Sequence, residues 1–192
     1  MALTKLLLLI FLIILILFLI INVWVICNCF EGFICLIFHL PPMVPSSKKM
    51  RNAIINEINK NYRSMKTVID IGSCYGGLAR RIARECNEKL VIAVERMICP
   101  AIISKTSDFF CDIKMKKSKT ILSNAFKFIK KSDGFDIGVA YLFPTVMKQL
   151  EELKHKFKVL IILDFSLPNS KPNKKIKLHE DRLGQHWMYI YE

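Results

Sequence analysis

The sequence predicts a doubly wound α/β sheet that closes with an antiparallel hairpin and follows one N-terminal transmembrane helix. Three observations predict this fold class. A long apolar stretch opens the chain, five short apolar and β-branched runs then alternate with helix-compatible segments, and two further runs end the chain around a glycine turn. Alternating strands and helices are typical of parallel sheets built from βαβ units. We therefore divide the chain into an anchor with an interfacial segment, residues 1–40, and one domain, residues 41–192.

The apolar stretch at residues 6–27 is long enough to cross a membrane. At a rise of about 1.5 Å per residue it reaches about 33 Å, and a hydrocarbon core is about 30 Å thick. A secretory signal would have a shorter apolar core and a small-residue cleavage site, which residues 25–31 do not offer. We predict a retained transmembrane helix with Trp24 near one interface. The next apolar run, residues 32–40, is too short to span, and we expect it to lie in the interface or to pack on the domain.

Positive charge is concentrated outside this stretch. The chain carries a net charge of +13, and residues 1–40 contribute one charge of each sign, Lys5 and Glu31. Because Lys48, Lys49 and Arg51 follow the stretch, the positive-inside rule predicts a single-pass membrane protein with its domain on the cytoplasmic side. The excess charge favours an anionic partner, either lipid headgroups or nucleic acid, and it is equally compatible with a compositional bias.

The seven cysteines predict neither a disulfide framework nor a metal site. They are scattered and odd in number, and no Cys-x-x-Cys pair or neighbouring histidine cluster has the spacing of a zinc site. The cysteines of the domain have the pattern of small buried apolar residues in a reducing compartment. We assign no metal ligands and give no chemistry to His155 or His179.

The first domain helix follows the prolines at residues 41–45. Ser46 or Ser47 is the predicted N-cap. Apolar residues then recur every four positions, at Met50, Ile54, Ile58 and Tyr62. We expect this helix to pack on the sheet and to carry residues over the mouth of the ligand site.

The segment after that helix has the composition of a nucleotide-binding turn. Thr67-Val-Ile-Asp-Ile-Gly-Ser-Cys-Tyr-Gly-Gly77 reads as a buried parallel strand followed by glycines, which let backbone approach a ligand closely. Asp70 lies inside this strand, and Glu95 ends the next one. A carboxylate before the turn suits a ligand with an ammonium group, such as S-adenosylmethionine (SAM), whose ribose hydroxyls would bind Glu95. The alternative is that Asp70 caps the turn and Glu95 is a solvated strand end.

The remaining elements alternate as the fold class requires. A helix is predicted from Pro100, and another, with Val146, Leu150 and Leu153 on one face, from Pro144. Strands are predicted at residues 90–95, 120–124, 135–142 and 158–164, and the closing hairpin at residues 175–179 and 186–191.

These features, in this order, resemble the class I SAM-dependent methyltransferases with their Rossmann-like sheet, and among them the membrane-anchored ATP synthase c-subunit lysine methyltransferase family. The resemblance covers the chain from about Pro42 to Glu192. The segments that carry it are Val44-Pro-Ser-Ser-Lys48, Asp70-Ile-Gly-Ser73, Ala93-Val-Glu95, Ala140-Tyr-Leu-Phe-Pro144, Asp164-Phe-Ser-Leu-Pro168 and Tyr189-Ile-Tyr-Glu192. The hydrophobic amino-terminal anchor of that family is matched by residues 6–27.

The resemblance implies a donor site for SAM on the first three strands. Its residues would be Asp70, Gly72, Ser73, Gly76 and Glu95 around the turn, with Asn124 and Ala125 at the adenine. An ordinary polar strand end is the alternative for Asn124. The glycine loop departs from the family's Gly-x-Gly-Asp-Gly-Arg, because Cys74 replaces the middle glycine, Tyr75 the aspartate and Gly77 the arginine. A cysteine is strained there if the position needs a positive φ.

The resemblance also implies an acceptor site, formed by Tyr141, Pro144 and Asp164 after the fourth and fifth strands. An aromatic ring and backbone carbonyls there can orient a neutral amine, and Asp164 can accept a proton or hold a lysine. The alternatives are that Tyr141 and Phe143 plug the sheet edge and that Asp164 caps a turn.

The implied activity is methyl transfer from SAM to a lysine amine of a protein, with a membrane protein as the expected substrate. Methylation of RNA or of a small molecule is the alternative reaction. A membrane-bound scaffold that kept the fold and lost donor binding is the alternative from another class. Methyl transfer needs alignment and loss of the amine's proton, so no Ser-His-Asp arrangement is expected.

Overall fold

The computed structural model describes residues 2–37, 44–86, 89–111, 117–182 and 184–192. The chain divides into two compact units, Met1–Pro42 and Met43–Glu192.

The first unit is a single helix, α1 (Ala2–Ile37). Within it Thr4–Cys27 is long and apolar enough to cross a membrane. Asn22 interrupts the apolar sequence, and its Nδ2 donates to the carbonyl of Phe18 at 2.8 Å, which gives one amide N–H a partner within the helix. The helix continues past Cys27 to Ile37, so residues 32–37 of the second apolar run belong to the same helix. That this run lies in the interface or packs on the domain stays a prediction. Residues 38–40 of that segment lie outside the described part of the chain.

The second unit is a seven-stranded sheet with helices on both faces. Its helices are α2 (Lys48–Asn61), α3 (Gly77–Glu85), α4 (Ile98–Cys111), α5 (Ala125–Lys131) and α6 (Met147–Glu152), with 3₁₀ turns at Pro144–Val146 and Lys154–Lys156. Its strands are β1 (Thr67–Ile71), β2 (Leu90–Glu95), β3 (Ser118–Leu122), β4 (Phe135–Ala140), β5 (Phe157–Leu163), β6 (Lys174–Asp181) and β7 (Gly184–Tyr191).

The strand order is β3-β2-β1-β4-β5-β7-β6, and it confirms the predicted doubly wound sheet. Strands β1 to β5 are parallel, and β7 lies antiparallel to both β5 and β6. The chain moves outward from β1 in one direction through β2 and β3, and then returns to build β4 and β5 on the other side. The carboxyl ends of β1 and β4 therefore meet at the point where the order reverses, with Ile71 paired to Ala140. Ligands of doubly wound sheets bind in the crevice at this point.

Residues along each strand alternate between two hydrophobic cores, as the two-residue period of a strand requires. In β5, Val159 and Ile161 belong to one core and Leu160 and Ile162 to the other. Helices α2 and α3 cover the first core, and α5 and α6 cover the second. The predicted apolar face of α2 is confirmed, since all four of its predicted residues are buried: Met50, Ile54, Ile58 and Tyr62. Ser47 is the N-cap, and its Oγ accepts from the backbone N–H of Met50 at 3.2 Å.

Several boundaries differ from the prediction for local reasons. β3 ends at Leu122, before the predicted residue 124, because Asn124 caps α5 and its side chain accepts from the backbone N–H of Lys127 at 3.1 Å. β4 ends at Ala140 because the chain turns there toward the 3₁₀ helix that Pro144 opens. α4 begins at Ile98 and keeps Pro100 in its first turn, where a missing N–H is tolerated. The end of the predicted α4 tail, residues 112–116, lies outside the described residues.

Candidate functional site

The turn after β1 contains three residues with left-handed backbone. The φ angle is +73° at Gly72, +53° at Cys74 and +68° at Gly76. A Cβ at Gly72 would lie 2.8 Å from the side chain of Leu142, and one at Gly76 would overlap the side chain of Ser104. Cys74 adopts this conformation with a side chain, which costs about 1–2 kcal/mol relative to glycine. The position therefore does need a positive φ, and the cysteine there is strained.

Glu95 fixes this turn to the end of β2. Its Oε2 accepts from the backbone N–H of Cys74 at 2.8 Å, and its Oε1 accepts from the N–H groups of Arg96 at 2.7 Å and Met97 at 2.8 Å. A carboxylate offers about four acceptor positions, so these three donors leave capacity for one more. Glu95 is buried, which excludes the alternative of a solvated strand end.

A cleft with a cavity volume of about 120 Å³ opens beside the turn. One wall is the Val44-Pro-Ser46 segment together with Arg51 of α2, and the opposite wall is Asp70 with the turn itself. Tyr141, which follows β4, also lines the cleft. The first helix of the domain thus contributes to the mouth of this site, as the sequence predicts.

Three buried polar atoms at this cleft have no hydrogen-bond partner: Nε of Arg51, Oδ2 of Asp70 and Oγ of Ser73. Leaving a buried polar group unpaired costs about 1–3 kcal/mol, so such atoms indicate where a ligand supplies partners. Among the described residues, the other buried side-chain N and O atoms in this state are two histidine nitrogens of the terminal hairpin.

Arg51 is the residue of this cleft that sequence reasoning missed. The sequence groups it with Lys48 and Lys49 as a surface charge, and those two lysines are exposed. The side chain of Arg51 instead turns into the cleft, and a Cβ built at Gly77 would lie 3.6 Å from its Nη1. The guanidinium therefore stands beside the position at which the loop of the family carries its arginine. The helical position of Arg51, one turn after the Ser47 cap, was the available signal.

The environment of the Asp70 carboxyl group suits the binding of a cation. Burial raises its pKa to about 7; the backbone N–H of Ala79 opposes this rise, and the nearby Glu95 carboxylate adds to it. The side chain is 4% exposed. A positive group brought to Oδ2 would favour the carboxylate and lower this pKa.

The predicted adenine contacts lie at the start of α5. Asn124 is exposed and caps that helix, and Ala125 is its first residue. The backbone N–H of Ser123 donates to the carbonyl of Glu95 at 2.9 Å, so the end of β3 is tied to the end of β2. Asn124 and Ala125 share this edge of the sheet with Glu95, but neither lines the cleft beside Asp70.

The three predicted acceptor residues lie after β4 and β5 in two separate cavities. Tyr141 lines the cleft with Asp70, whereas Pro144 and Asp164 line a second cavity of about 520 Å³. Tyr141 and Asp164 nevertheless interact: burial raises the pKa of Tyr141 to about 12, and the charge of the Asp164 carboxylate and its hydrogen bond with Tyr141 add to this rise. The rings of Phe143 and Phe165 stack beside them with centroids 6.3 Å apart.

Asp164 is already held by the terminal hairpin. Its Oδ2 lies 2.8 Å from Nδ1 of His186, and its Oδ1 accepts from the backbone N–H of Trp187 at 3.1 Å. Sequence reasoning assigned no chemistry to the hairpin histidines. The pairing of His179 with His186 across β6 and β7 brings them together, and the turn between the two strands was the signal that could have predicted it.

Solved methyltransferase structures match this chain. An RNA methyltransferase from Salinibacter ruber in complex with S-adenosyl-L-homocysteine has a TM-score of 0.62 at 16% identity, over 77% of this chain and 92% of its own. TrmK of M. capricolum, in complex with S-adenosyl-homocysteine, has a TM-score of 0.57 at 18% identity, over 71% and 66%. The bifunctional kinase-methyltransferase WbdD has a TM-score of 0.60 at 11% identity, and the 77% of this chain that matches it spans 40% of its length.

No protein-family model and no curated protein matches the chain. The identities to the solved structures are low, so these matches establish the architecture. Their agreement with the strand order and with the glycine turn at the reversal point leads to one conclusion. The chain has the fold of the class I SAM-dependent methyltransferases.

Proposed function

We propose that this protein is a SAM-dependent methyltransferase and that the cleft beside Asp70 binds the amino-acid end of SAM. The observation that carries the proposal is the set of unpartnered atoms at Arg51, Asp70 and Ser73. The methionine part of SAM presents an ammonium to the carboxylate oxygen and a carboxylate to the guanidinium and hydroxyl. The cavity volume of about 120 Å³ suits one end of the donor, since a pocket for a complete drug-sized ligand has about 300–1,000 Å³.

The rest of the donor would follow the carboxyl edge of the sheet away from this cleft. Gly72 and Gly76 keep the turn free of side chains where backbone approaches the ligand. Glu95 would accept from a ribose hydroxyl with its remaining lone pair. Asn124 and Ala125, on the same edge, would contact the adenine.

SAM supplies an activated methyl group when it is bound. The task of the chain is then to orient a neutral amine and to take its proton. Tyr141 and the backbone up to Pro144 would orient the nitrogen at the mouth of the cleft. The stacked rings of Phe143 and Phe165 would favour the positive charge that develops on it. Asp164, beside Tyr141, would attract that charge and would accept the proton that the amine loses.

The acceptor proposed here is a lysine of a membrane protein. The resemblance described from the sequence, the membrane-spanning length of Thr4–Cys27 and the aromatic rings beside Tyr141 support this choice. A membrane tether raises the local concentration of membrane-bound acceptors. The exposed Lys48 and Lys49 would attract anionic headgroups on the cytoplasmic side, at about 1 kcal/mol each.

RNA is the second candidate acceptor, and the charge of +13 favours it. One structural match is named an RNA methyltransferase, and stacked aromatic rings such as those of Phe143 and Phe165 suit nucleobases as well as amines.

The test is to incubate membranes with full-length protein and methyl-labelled SAM. We expect label that protease removes, that RNase leaves, and that acid hydrolysis recovers as methylated lysine. The variant Asp70→Asn should abolish most of the label, and Asp133→Asn, an exposed carboxylate outside the cleft, should not. Label that RNase removes would assign the reaction to RNA. Absence of label with a folded wild-type protein would support the alternative of a membrane-bound scaffold that has lost donor binding.

A further inference from the structure

The terminal hairpin gathers three side chains with the chemistry of metal ligands. His179 of β6 pairs directly with His186 of β7, and Asp181 lies beside them at the end of β6. One ligand atom from each of the three lies within 4.8 Å of the others. The Oδ2 atom of Asp181 is 3.2 Å from Nε2 of His186 and 3.6 Å from Nε2 of His179.

We propose that His179, Asp181 and His186 form a binding site for one divalent transition-metal ion, with zinc as the best fit. Imidazole and carboxylate are the ligands that zinc takes besides thiolate, and three protein ligands with a fourth position open to water are a common zinc coordination. Bonds of about 2.0–2.2 Å in a tetrahedron place neighbouring ligand atoms about 3.3–3.6 Å apart. Of the two separations from Asp181, 3.6 Å lies at the top of this range and 3.2 Å just below it.

The hydrogen bonding of His186 independently points to a ligand at its second nitrogen. Nδ1 of His186 lies 2.8 Å from Oδ2 of Asp164, and an ionised carboxylate only accepts, so this nitrogen carries the proton. Nε2 is then left with its lone pair. That atom is buried, and its neighbour at 3.2 Å is the carboxylate oxygen Oδ2 of Asp181. A carboxylate that orients a histidine in this way is the usual outer partner of a metal-binding imidazole.

The charged groups around the three side chains and the solvent exposure of Asp181 are consistent with a metal site. The rings of His179 and His186 stack with centroids 4.5 Å apart, so both imidazoles lie close enough to bind one ion. The carboxylates of Asp164 and Asp181 lie 2.8 Å and 3.2 Å from the two ring nitrogens of His186, so the site offers negative charge to a cation. The side chain of Asp181 is 44% exposed, which opens the site to solvent for ion entry and for a water ligand.

A bound ion would join the end of β6 to β7 and, through His186, would hold Asp164 in place after β5. Asp164 also interacts with Tyr141, so the metal would act on the acceptor side of the sheet by positioning a carboxylate. The proposal concerns the hairpin alone and does not depend on donor binding.

The test uses untagged full-length protein in detergent, stripped with a chelator and titrated with Co²⁺, whose visible absorption reports tetrahedral coordination. We expect one Co²⁺ per chain, its displacement by Zn²⁺, and a thermal unfolding midpoint that rises with Zn²⁺. His186→Ala and Asp181→Asn should each weaken binding at least about 100-fold, and Asp164→Asn about 10–100-fold as the loss of an outer partner.

His155→Ala is the matched control, because His155 lies in the 3₁₀ turn before β5 and outside the hairpin. It should leave both the absorption and the Zn²⁺-dependent unfolding shift unchanged. Asp181→Asn changes an exposed side chain and tests the site if His186→Ala does not fold. Co²⁺ binding that survives Asp181→Asn and His186→Ala, or no saturable Co²⁺ binding by the folded wild-type protein, would overturn the proposal.

Discussion

The backbone N–H of Cys74 donates a hydrogen bond of 2.8 Å to Oε2 of Glu95. This bond connects the turn after β1 to the last residue of β2. Two further bonds, from the backbone N–H groups of Arg96 and Met97, hold the other carboxylate oxygen of Glu95. The glycine turn is therefore fixed in shape by a buried acceptor, because a charge-assisted hydrogen bond is worth about 1.5–3 kcal/mol. The loop that would meet SAM is organised before the ligand arrives.

Replacing Cys74 by glycine should relieve strain without loosening the turn. The substitution keeps the N–H that Glu95 accepts and removes the side chain from a residue at φ +53°. We expect the free energy of unfolding to rise by about 1 kcal/mol and SAM affinity to stay equal or increase. Urea denaturation and calorimetric titration measure the two quantities. A folded variant that no longer binds SAM would mean that the turn is not used as proposed.

Replacing Glu95 by alanine should weaken SAM binding by about 1–3 kcal/mol, since both the ribose acceptor and the anchor of the turn are lost. Glu95→Gln is the control, because its amide oxygen retains one acceptor for the backbone donors. We expect the glutamine variant to bind with intermediate affinity. Equal affinities of the wild type and Glu95→Ala, measured by calorimetry, would contradict the donor site.

SAM affinity should depend on pH through Asp70. In the free protein the raised pKa, about 7, keeps this carboxyl largely protonated below neutrality, and binding an ammonium group favours the ionised form. Affinity should therefore rise between pH 5.5 and about 7.5, below the range in which an α-amino group itself titrates. Asp70→Asn should bind weakly with a flat profile. A wild-type profile that is flat as well would exclude an ionised Asp70 as the ammonium ligand.

The same group should make the free protein less stable as pH rises. In the folded state the Asp70 carboxyl holds its proton up to about pH 7. In the unfolded state it releases the proton near 3.8, the ordinary pKa of an unfolded aspartate, so the folded state binds more protons between these two pH values. The free energy of unfolding therefore falls from about pH 4 to about pH 7. Asp70→Asn should remove this slope and be more stable than the wild type above pH 7, by up to about 4 kcal/mol. Chemical denaturation at pH 5 and pH 8 measures the difference.

Removal of residues 1–42 should separate donor binding from substrate access. The unit Met43–Glu192 contains the whole sheet and the cleft, so it should bind SAM with the affinity of the full chain. Methylation of a membrane-embedded acceptor should slow at least about 100-fold, the lower end of the gain that tethering gives. Initial rates of methyl incorporation into whole membranes provide the comparison. Equal rates for both proteins would contradict a membrane-bound acceptor.

The fold was predictable from the sequence because its signals are local. The β-branched runs and the glycine turn define the parallel strands, and the four-residue spacing from Met50 to Tyr62 defines α2. The continuation of α1 to Ile37 was not predictable in this way, because polar and charged residues after Cys27 resemble a helix end although they remain helical. Capping by Asn124 likewise shortened β3, since a side chain that can end a strand can also begin a helix.

The place of the glycine turn in the candidate site was predictable from the sequence, whereas the directions of the side chains were not; the roles of these residues toward SAM stay predictions. Asp70, Gly72, Ser73 and Gly76 follow from the place of the turn in the chain. The turn of Arg51 into the cleft depends on how α2 packs. The pairing of Asp164 with His186 depends on the register of β7 against β5, which no spacing in the sequence reveals. The lysine acceptor and the family that the sequence resembles stay predictions.

The most direct test of the account is a calorimetric titration of SAM into the wild type, Arg51→Ala and Arg84→Ala. Arg84 lies exposed on α3 and serves as the matched control, whereas Arg51 is predicted to bind the carboxylate of SAM. The account predicts one SAM per chain, an affinity that Arg84→Ala preserves, and a loss of about 10–100-fold in Arg51→Ala, the range for a hydrogen bond to a charged group. Wild-type protein that is folded and shows no SAM binding, or an Arg51→Ala affinity equal to that of the wild type, would contradict it.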